Sequence, residues 1–192
     1  MNPPELSHES KKQTINYGNR GMSLEEDINL SNEQYRVKKI AVIHKKPTPI
    51  QVVKVDYPKR SAARITEAYY RRASTTDFNG VYKGHYIDFE AKETQQNNYL
   101  PLKNFHDHQI RHMRDCQEAG GICFIIVRFT NRDQTFLYPT SSLFKWWDQK
   151  DQAGGRQSIP YDDFLKNGQE IALEYSPRLP YLRVLDEMIS LK

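Results

Sequence analysis

The longest apolar run in the chain limits what this sequence can fold into. It covers only six residues, 122–127, directly after Gly120-Gly121. Such a short run fits a buried strand, whereas a helix that spans a bilayer needs roughly 18 apolar residues. Hydrophobic residues make up 38% of the 192 residues, and no apolar leader opens the chain. The sequence therefore predicts one polar, cytoplasmic α/β domain without a membrane span.

Helical and extended patterns alternate along the rest of the chain. A capping box, Ser23-Leu24-Glu25-Glu26, predicts a helix that runs to about Lys38, and Asn79-Gly80 has the chemistry of a turn. The order of helices and strands along the chain predicts a mixed sheet with helices packed on its faces. We expect a further helix at 107–119 that ends at Gly120-Gly121, and helices at 141–149, 161–166 and 179–191. Strands are expected at 40–44, 81–82, 86–92, 122–129 and 136–138, with a turn at Lys83-Gly84 between the second and the third.

Positive charge is concentrated in one block. Residues 36–72 contain eleven basic and two acidic residues, a net charge of +9, so the remainder carries −5 of the total of +4. Tyr57, Tyr69 and Tyr70 lie among the cations, which suits contacts with phosphates and bases. Solubilising lysines on a solvated face are the alternative. Residues 50–57 and 65–72 are polar on both faces and predict a projecting basic hairpin, which we call the stalk.

The chemically informative segments are Thr75-Thr76-Asp77 and the strand at 86–92. Strand alternation places Asp88, Glu90 and Lys92 on one face. Two carboxylates such as Asp77 and Glu90 could hold Mg²⁺, and a lysine beside them could orient a water and stabilise charge on a phosphate. An amphipathic strand with solvated charges is the alternative. Asp88 could replace Asp77 as a ligand, although a salt bridge is the expected role, and Glu93 is expected to be structural.

Other polar residues support weaker hypotheses. His106-Asp107-His108 could suggest zinc, but capping or phosphate contact is favoured because no further ligand completes a site. Cys116 and Cys123 are interpreted as packing thiols. Arg20 and Arg71 are candidates for contact with a DNA backbone or for surface ion pairs.

Asp77 with Glu90-Ala91-Lys92 resembles the PD-(D/E)xK nuclease motif, with Thr76 at the proline position. The surroundings resemble the RecU family of Holliday junction resolvases. The residues that carry this resemblance lie at 18–22, 40–49, 57–61, 74–77, 86–94 and 104–109.

The resemblance implies a restriction-endonuclease-like fold and a homodimer that cuts four-way DNA junctions by symmetric paired nicks. It implies Mg²⁺, with Mn²⁺ as a possible substitute, placed by Thr75, Asp77, Glu90 and Gln109, and Lys92 as the transition-state stabiliser. The family's stalk is thought to enter the junction. The residues expected to contact DNA are Arg20, Lys45, Lys46, Lys54, Lys59, Arg60, Arg64, Arg71 and Arg72.

The expected organisation is a disordered arm at 1–19 and one nuclease domain at 20–192, with the stalk at about 46–72. Partners would include a recombinase and branch-migration proteins, at the nucleoid. Two alternatives stay open: a DNA-binding accessory protein that anneals strands or modulates a recombinase, and a nuclease of the same fold with another substrate.

Overall fold

The computed structural model of the chain describes residues 22–71 and 75–189. The predicted arm at 1–19, and the candidate DNA contacts Arg20 and Arg72, lie outside these residues. The helices are α1 (Leu24–Val37), α2 (Asp107–Glu118), α3 (Thr140–Gln149), α4 (Tyr161–Asn167) and α5 (Tyr181–Ile189). The strands are β1 (Ala41–Lys45), β2 (Ile50–Asp56), β3 (Arg64–Tyr70), β4 (Phe78–Tyr82), β5 (His85–Thr94), β6 (Tyr99–Pro101), β7 (Ile122–Phe129), β8 (Gln134–Pro139), β9 (Ser158–Pro160) and β10 (Gln169–Glu170).

The centre of the fold is a six-stranded mixed sheet with the order β1-β4-β5-β7-β8-β10. Strands β1, β4 and β5 pair antiparallel, β5 and β7 pair parallel, and β8 pairs antiparallel with β7. The parallel pair requires a crossover, which α2 supplies. Strands β6 and β9 form a small separate ribbon.

Helices cover both faces of this sheet, and β7 shows why. Phe124 and Ile126 of β7 belong to one core cluster, which includes residues of α1 and α5. The alternate residues Ile125 and Val127 belong to a second cluster with residues of α2, α3 and α4. A strand buried on both faces is continuously apolar, as the run at 122–127 predicts. The predicted mixed α/β sheet with flanking helices is confirmed.

A buried ion network ties α1 to the sheet. Asp27 is 1% exposed and accepts hydrogen bonds from Arg128 of β7 at 2.7 Å and from Arg178 at 3.1 Å. The predicted capping box is present, because Ser23 and Glu26 satisfy each other's backbone amides. Leu24 N–H also donates to Glu93 at 2.9 Å, which confirms a structural role for Glu93.

The expected turn at Asn79-Gly80 is wrong, because both residues lie inside β4. Gly80 pairs with Ile43 of β1, and a Cβ at Gly80 would stand 2.1 Å from the carbonyl oxygen of Val42. The glycine therefore serves close strand approach rather than a turn. The turn lies instead at Lys83-Gly84, as predicted, and both residues have positive φ.

The stalk is a two-stranded antiparallel ribbon of β2 and β3, outside the central sheet. Every residue of both strands is exposed. This matches the prediction of a projecting hairpin. The expectation that both faces are polar is wrong, because the exposed side chains include Ile50, Val52, Val53, Val55 and Ile65. Within the described residues, the helices are too short and too polar to cross a membrane.

Substituting Gly80 tests the close approach of β1 and β4. We expect Gly80→Ala to lower the free energy of unfolding by about 3 kcal/mol or more, because the new Cβ meets backbone that cannot move aside. Gly84→Ala is the comparison, since its Cβ would meet no atom within 4 Å and only its positive φ of 79° is strained. That variant should lose about 1–2 kcal/mol in urea denaturation. An equal loss of unfolding free energy in Gly80→Ala and Gly84→Ala would contradict the close approach of β1 and β4 at Gly80.

Candidate active site

Strand pairing brings the two predicted carboxylates together. Phe78 of β4 pairs with Phe89 of β5, so Asp77, just before β4, comes opposite Glu90. The Asp77 N–H donates to Glu90 Oε2 at 3.2 Å, and Asp77 Oδ2 accepts from the Ala91 N–H at 3.3 Å. Asp77 and Glu90, thirteen positions apart, are thus held side by side by hydrogen bonds from backbone amides to side-chain carboxylates.

Glu90 lies at the bottom of the site and is fully buried. Its Oε1 accepts hydrogen bonds from Lys92 Nζ and, at 2.7 Å, from Gln109 Nε2. Burial raises the pKa of Glu90 to about 8, and the neighbouring Asp77 charge also raises it, while Lys92 opposes the shift. A buried, crowded carboxylate of this kind is stabilised by an additional cation.

Gln109 enters the site from the first turn of α2. Its Oε1 accepts the His106 N–H at 3.0 Å while its Nε2 donates to Glu90. The amide therefore links the start of α2 to the buried carboxylate. Thr75 lies before Asp77, is half-buried, and its hydroxyl donates to the Thr76 carbonyl at 3.4 Å. Metal ligation by Thr75 and Gln109 stays a prediction.

Lys92 lies at the boundary between the site and solvent. Its side chain is 18% exposed, and Nζ stands 5.6 Å from the centre of the Phe105 ring. Phe105 also lines an open cleft of about 560 Å³ whose walls carry several basic groups. His106 and His108 stack there with ring centroids 5.3 Å apart, and His106 is the residue that caps the start of α2. The cleft suits a polyanion that approaches Lys92.

A second polar cluster surrounds Asp88, two residues before Glu90 on the same face of β5. Asp88 is fully buried and accepts hydrogen bonds from Lys46 at 2.7 Å, from Tyr86 at 2.7 Å and from Thr76. His112 of α2 lies 3.1 Å away. Burial acts to raise the pKa of Asp88, but these hydrogen bonds lower it overall. The expected salt-bridge role of Asp88 is confirmed.

The predicted DNA-contacting cations fall into two groups. Lys46 faces inward to Asp88 with a side chain only 17% exposed, and Lys45 pairs with Glu25. The remaining described side chains are exposed on or beside the stalk: Lys54, Lys59, Arg64 and Arg71. Arg60 begins a short 3₁₀ helix, Arg60–Ala62, between the two strands of the stalk.

Sequence reasoning missed the partners of Asp88. Lys46 is 42 positions away from Asp88 and was assigned to the basic block, where nothing local distinguishes it from its neighbours. His112 carried one usable signal, because it lies three residues after Gln109 and so on the same face of α2. Only the packing of α2 on β5 shows that this face meets both carboxylates.

Two carboxylates, a lysine and an amide meet at strand β5, near the centre of a mixed sheet that lies between two helical layers. The fold and the site therefore define a mixed α/β protein with an acidic site on its central sheet. The family model described as RecU, Recombination protein U, matches residues 19–187. The chain belongs to this family.

Curated relatives agree with the family model. "Holliday junction resolvase RecU" of Limosilactobacillus reuteri is 61% identical over 176 residues, which cover 92% of this chain and 86% of that protein. The protein of the same name from Geobacillus kaustophilus is 57% identical over 179 residues, 93% of this chain and 89% of that protein. Among solved structures, Archaeoglobus fulgidus Hjc, a Holliday junction resolvase, superposes loosely, with a TM-score of 0.42 and 10% identity over 74% of this chain and 90% of that one.

The buried charge of Glu90 predicts a pH-dependent stability difference. The folded-state pKa of Glu90 is about 8, above its ordinary value of 4.5, so the neutral carboxyl contributes its full stability only below about pH 4.5. This stability is lost progressively as the pH rises from about 4.5 to about 8. Glu90→Gln removes the charge and keeps one of the two acceptor oxygens. In EDTA at about pH 9 we expect this variant to melt at least about 3 °C above the wild type, with a smaller difference near pH 5.

Glu93→Gln is the matched control, since Glu93 lies on the same strand but faces α1 at the surface. Its melting temperature relative to the wild type should not change in this way with pH. A Glu90→Gln difference that stays constant from pH 5 to pH 9 would show that Glu90 is not a buried charge.

Proposed function

We propose that Asp77, Glu90 and Lys92 carry out phosphodiester hydrolysis in this protein with a bound divalent cation. Its general activity is that of its family: it is a Holliday junction-resolving endonuclease. The observation that carries the proposal is the hydrogen bond of 3.2 Å from the Asp77 backbone N–H to the Glu90 carboxylate, which brings the two acids together. The same carboxylate also accepts from Lys92. Two acids side by side, one of them buried with a raised pKa, are typical of a functional site.

The residues at this site suit a hard divalent cation. Asp77 and Glu90 offer carboxylate oxygens. Burial raises the pKa of Glu90 even though Lys92 lies beside it, so a bound cation would stabilise the charged carboxylate further. We propose Mg²⁺, with Mn²⁺ as a substitute, because both accept oxygen ligands. When bound, such a cation would polarise the phosphate and lower the pKa of an attacking water.

The protein's own groups would prepare the site for that chemistry. Lys92 keeps a cationic head at the mouth of the site, where it can hold a water for attack and stabilise charge that develops on the phosphate. Gln109 holds Glu90 Oε1, and the Asp77 N–H holds Oε2, so both oxygens of the carboxylate are oriented. The products would be a 5′-phosphate and a 3′-hydroxyl, which a ligase can seal.

Removing the charge of Asp77 or of Lys92 should lower DNA cleavage without weakening DNA binding. Asp77→Asn and Lys92→Met should each lower nicking of an end-labelled four-way junction by at least about 100-fold with Mg²⁺, because each removes a group that acts on the reacting atoms. Junction affinity in EDTA should change by less than about threefold, since neither residue belongs to the exposed basic surface.

Glu93→Gln again serves as the matched control and should retain cleavage, since it removes an acid of the same strand that faces away from the site. Full cleavage by Asp77→Asn would refute the site assignment. Tight binding without nicks in the wild type, across divalent metals, would instead favour a DNA-binding accessory role, which the family relationship does not favour.

We also propose that the stalk contacts the open centre of the junction. Its strands are exposed along their whole length and carry Lys54 and Arg64, with Lys59 in the connection between them. A projecting ribbon without a core has surface available for DNA on both sides, and a linear duplex offers it no opening to enter. The stalk would therefore confer preference for junctions over duplex.

Charge removal on the stalk tests this assignment. The double variant Lys54→Gln, Lys59→Gln should weaken junction binding and lower the slope of log affinity against log salt by up to about 2, because each lost phosphate contact removes about 0.9. Lys145→Gln, Lys166→Gln is the matched control, since it removes two exposed lysines from α3 and α4. An equal loss in both variants would show that general charge, not the stalk, determines junction binding.

The remaining proposals concern assembly. We propose a homodimer in which each chain supplies one site, because a twofold axis would then place two equivalent sites on strands of like polarity and give symmetric nicks. The enzyme would act in the cytoplasm at the nucleoid, together with a recombinase and branch-migration proteins. The organisation proposed for this role is one nuclease domain at 20–192, with the stalk inserted at about 46–72 and an N-terminal arm at 1–19.

A further inference from the structure

Next to the candidate active site, Asp88 meets two side chains that bind softer metals. Asp88 Oδ2 lies 3.1 Å from His112 Nε2, and the same nitrogen lies 3.5 Å from Cys116 Sγ. One donor atom from each of the three residues lies within 4.8 Å of the others. A carboxylate, an imidazole and a thiol are therefore gathered at one point between α2 and β5.

Helix geometry accounts for this group. His112 and Cys116 are four residues apart on α2, so both side chains lie on the same face of the helix. A tetrahedral site with bonds of about 2.0–2.3 Å spaces its ligand atoms about 3.3–3.7 Å apart, close to the observed distances. Both residues are half-buried, so a cation can reach them from solvent.

We propose that Asp88, His112 and Cys116 form a second metal site, which takes a divalent cation of the zinc class with water completing the coordination. The ligand chemistry separates it from the pair Asp77 and Glu90. All-oxygen ligands suit Mg²⁺, whereas nitrogen and sulfur donors favour Zn²⁺. The two sites would therefore select different ions although they share strand β5.

Cys123 lies near this group but is not one of the proposed ligands. It pairs with Asp88 across β5 and β7 and is 5% exposed. Burial raises the pKa of both the Cys123 and the Cys116 thiols, so exposure to solvent rather than acidity separates them. Cys116 is the more accessible of the two thiols.

Lys46 is the internal competitor for this site. Its Nζ lies 2.7 Å from Asp88 Oδ2, the same oxygen that faces His112 and accepts from the neutral Tyr86 hydroxyl, so Lys46 is the charged group at that oxygen. An ammonium group and a metal ion cannot both occupy that oxygen at contact distance without strong repulsion. Metal binding therefore displaces Lys46 from Asp88, and removal of Lys46 should strengthen binding.

Cobalt(II) is a suitable probe, because it accepts the ligands of zinc and its bond to a thiolate absorbs in the near ultraviolet. Reduced protein titrated with Co²⁺ in excess Mg²⁺ should develop this band, and added Zn²⁺ should remove it. Cys116→Ser should abolish the band, and His112→Ala should weaken Co²⁺ binding by about 10-fold or more. A band that survives Cys116→Ser would overturn the proposal.

Three further variants complete the test. Asp77→Asn, in the proposed Mg²⁺ site, and Cys123→Ser should both keep the band, with a Co²⁺ affinity within about twofold of that of the wild type. Loss of the band in Cys123→Ser would overturn the proposed ligand set. Lys46→Met should tighten Co²⁺ binding severalfold, and unchanged or weaker binding would contradict the use of Asp88. Circular dichroism of each variant confirms that the comparison is between folded proteins.

Discussion

The burial of two carboxylates on one strand is the constraint on which the rest of this structure depends. Asp88 and Glu90 are both fully buried on the same face of β5. Isolated charges in such a place would cost several kcal/mol each, so each must have a cationic partner and further hydrogen bonds. Lys46 and Lys92 are those partners. Helix α2 supplies one additional polar side chain to each carboxylate, which determines how that helix must pack on the sheet.

This arrangement separates the roles of the two carboxylates. Asp88 has donors on all sides and a lowered pKa, so it behaves as a stable anion that holds the segment before β4 against β5. Glu90 has fewer partners and a raised pKa, and it lies beside a second acid. An additional cation therefore stabilises the surroundings of Glu90 more than those of Asp88. The low pKa of Asp88 arises from its hydrogen-bond donors, whereas burial and the neighbouring Asp77 charge raise the pKa of Glu90.

Much of the fold could be predicted from local pattern. The apolar run at 122–127 identified the buried strand β7, the capping box located the start of α1, and Gly120-Gly121 identified the end of α2. Asn79-Gly80 was misinterpreted, because turn chemistry and close strand approach both use glycine and only the neighbouring strand distinguishes them. Strand alternation correctly placed Glu90 and Lys92 on one face of β5. That face is largely buried, because α2 packs over side chains that an isolated strand would expose to solvent.

The sequence by itself determined the elements, the uneven charge along the chain and the residues of the acidic motif, because these depend on neighbours within a few positions. Tertiary structure decided which charges meet. Lys46 and Lys54 are similar members of one basic block in the sequence, yet one is paired inside the fold and the other is exposed on the stalk. The pairing of Asp88 with His112 and Cys116 likewise depends on how α2 crosses β5. Such contacts span tens of residues, and only the packing of helix on sheet brings them within bonding distance.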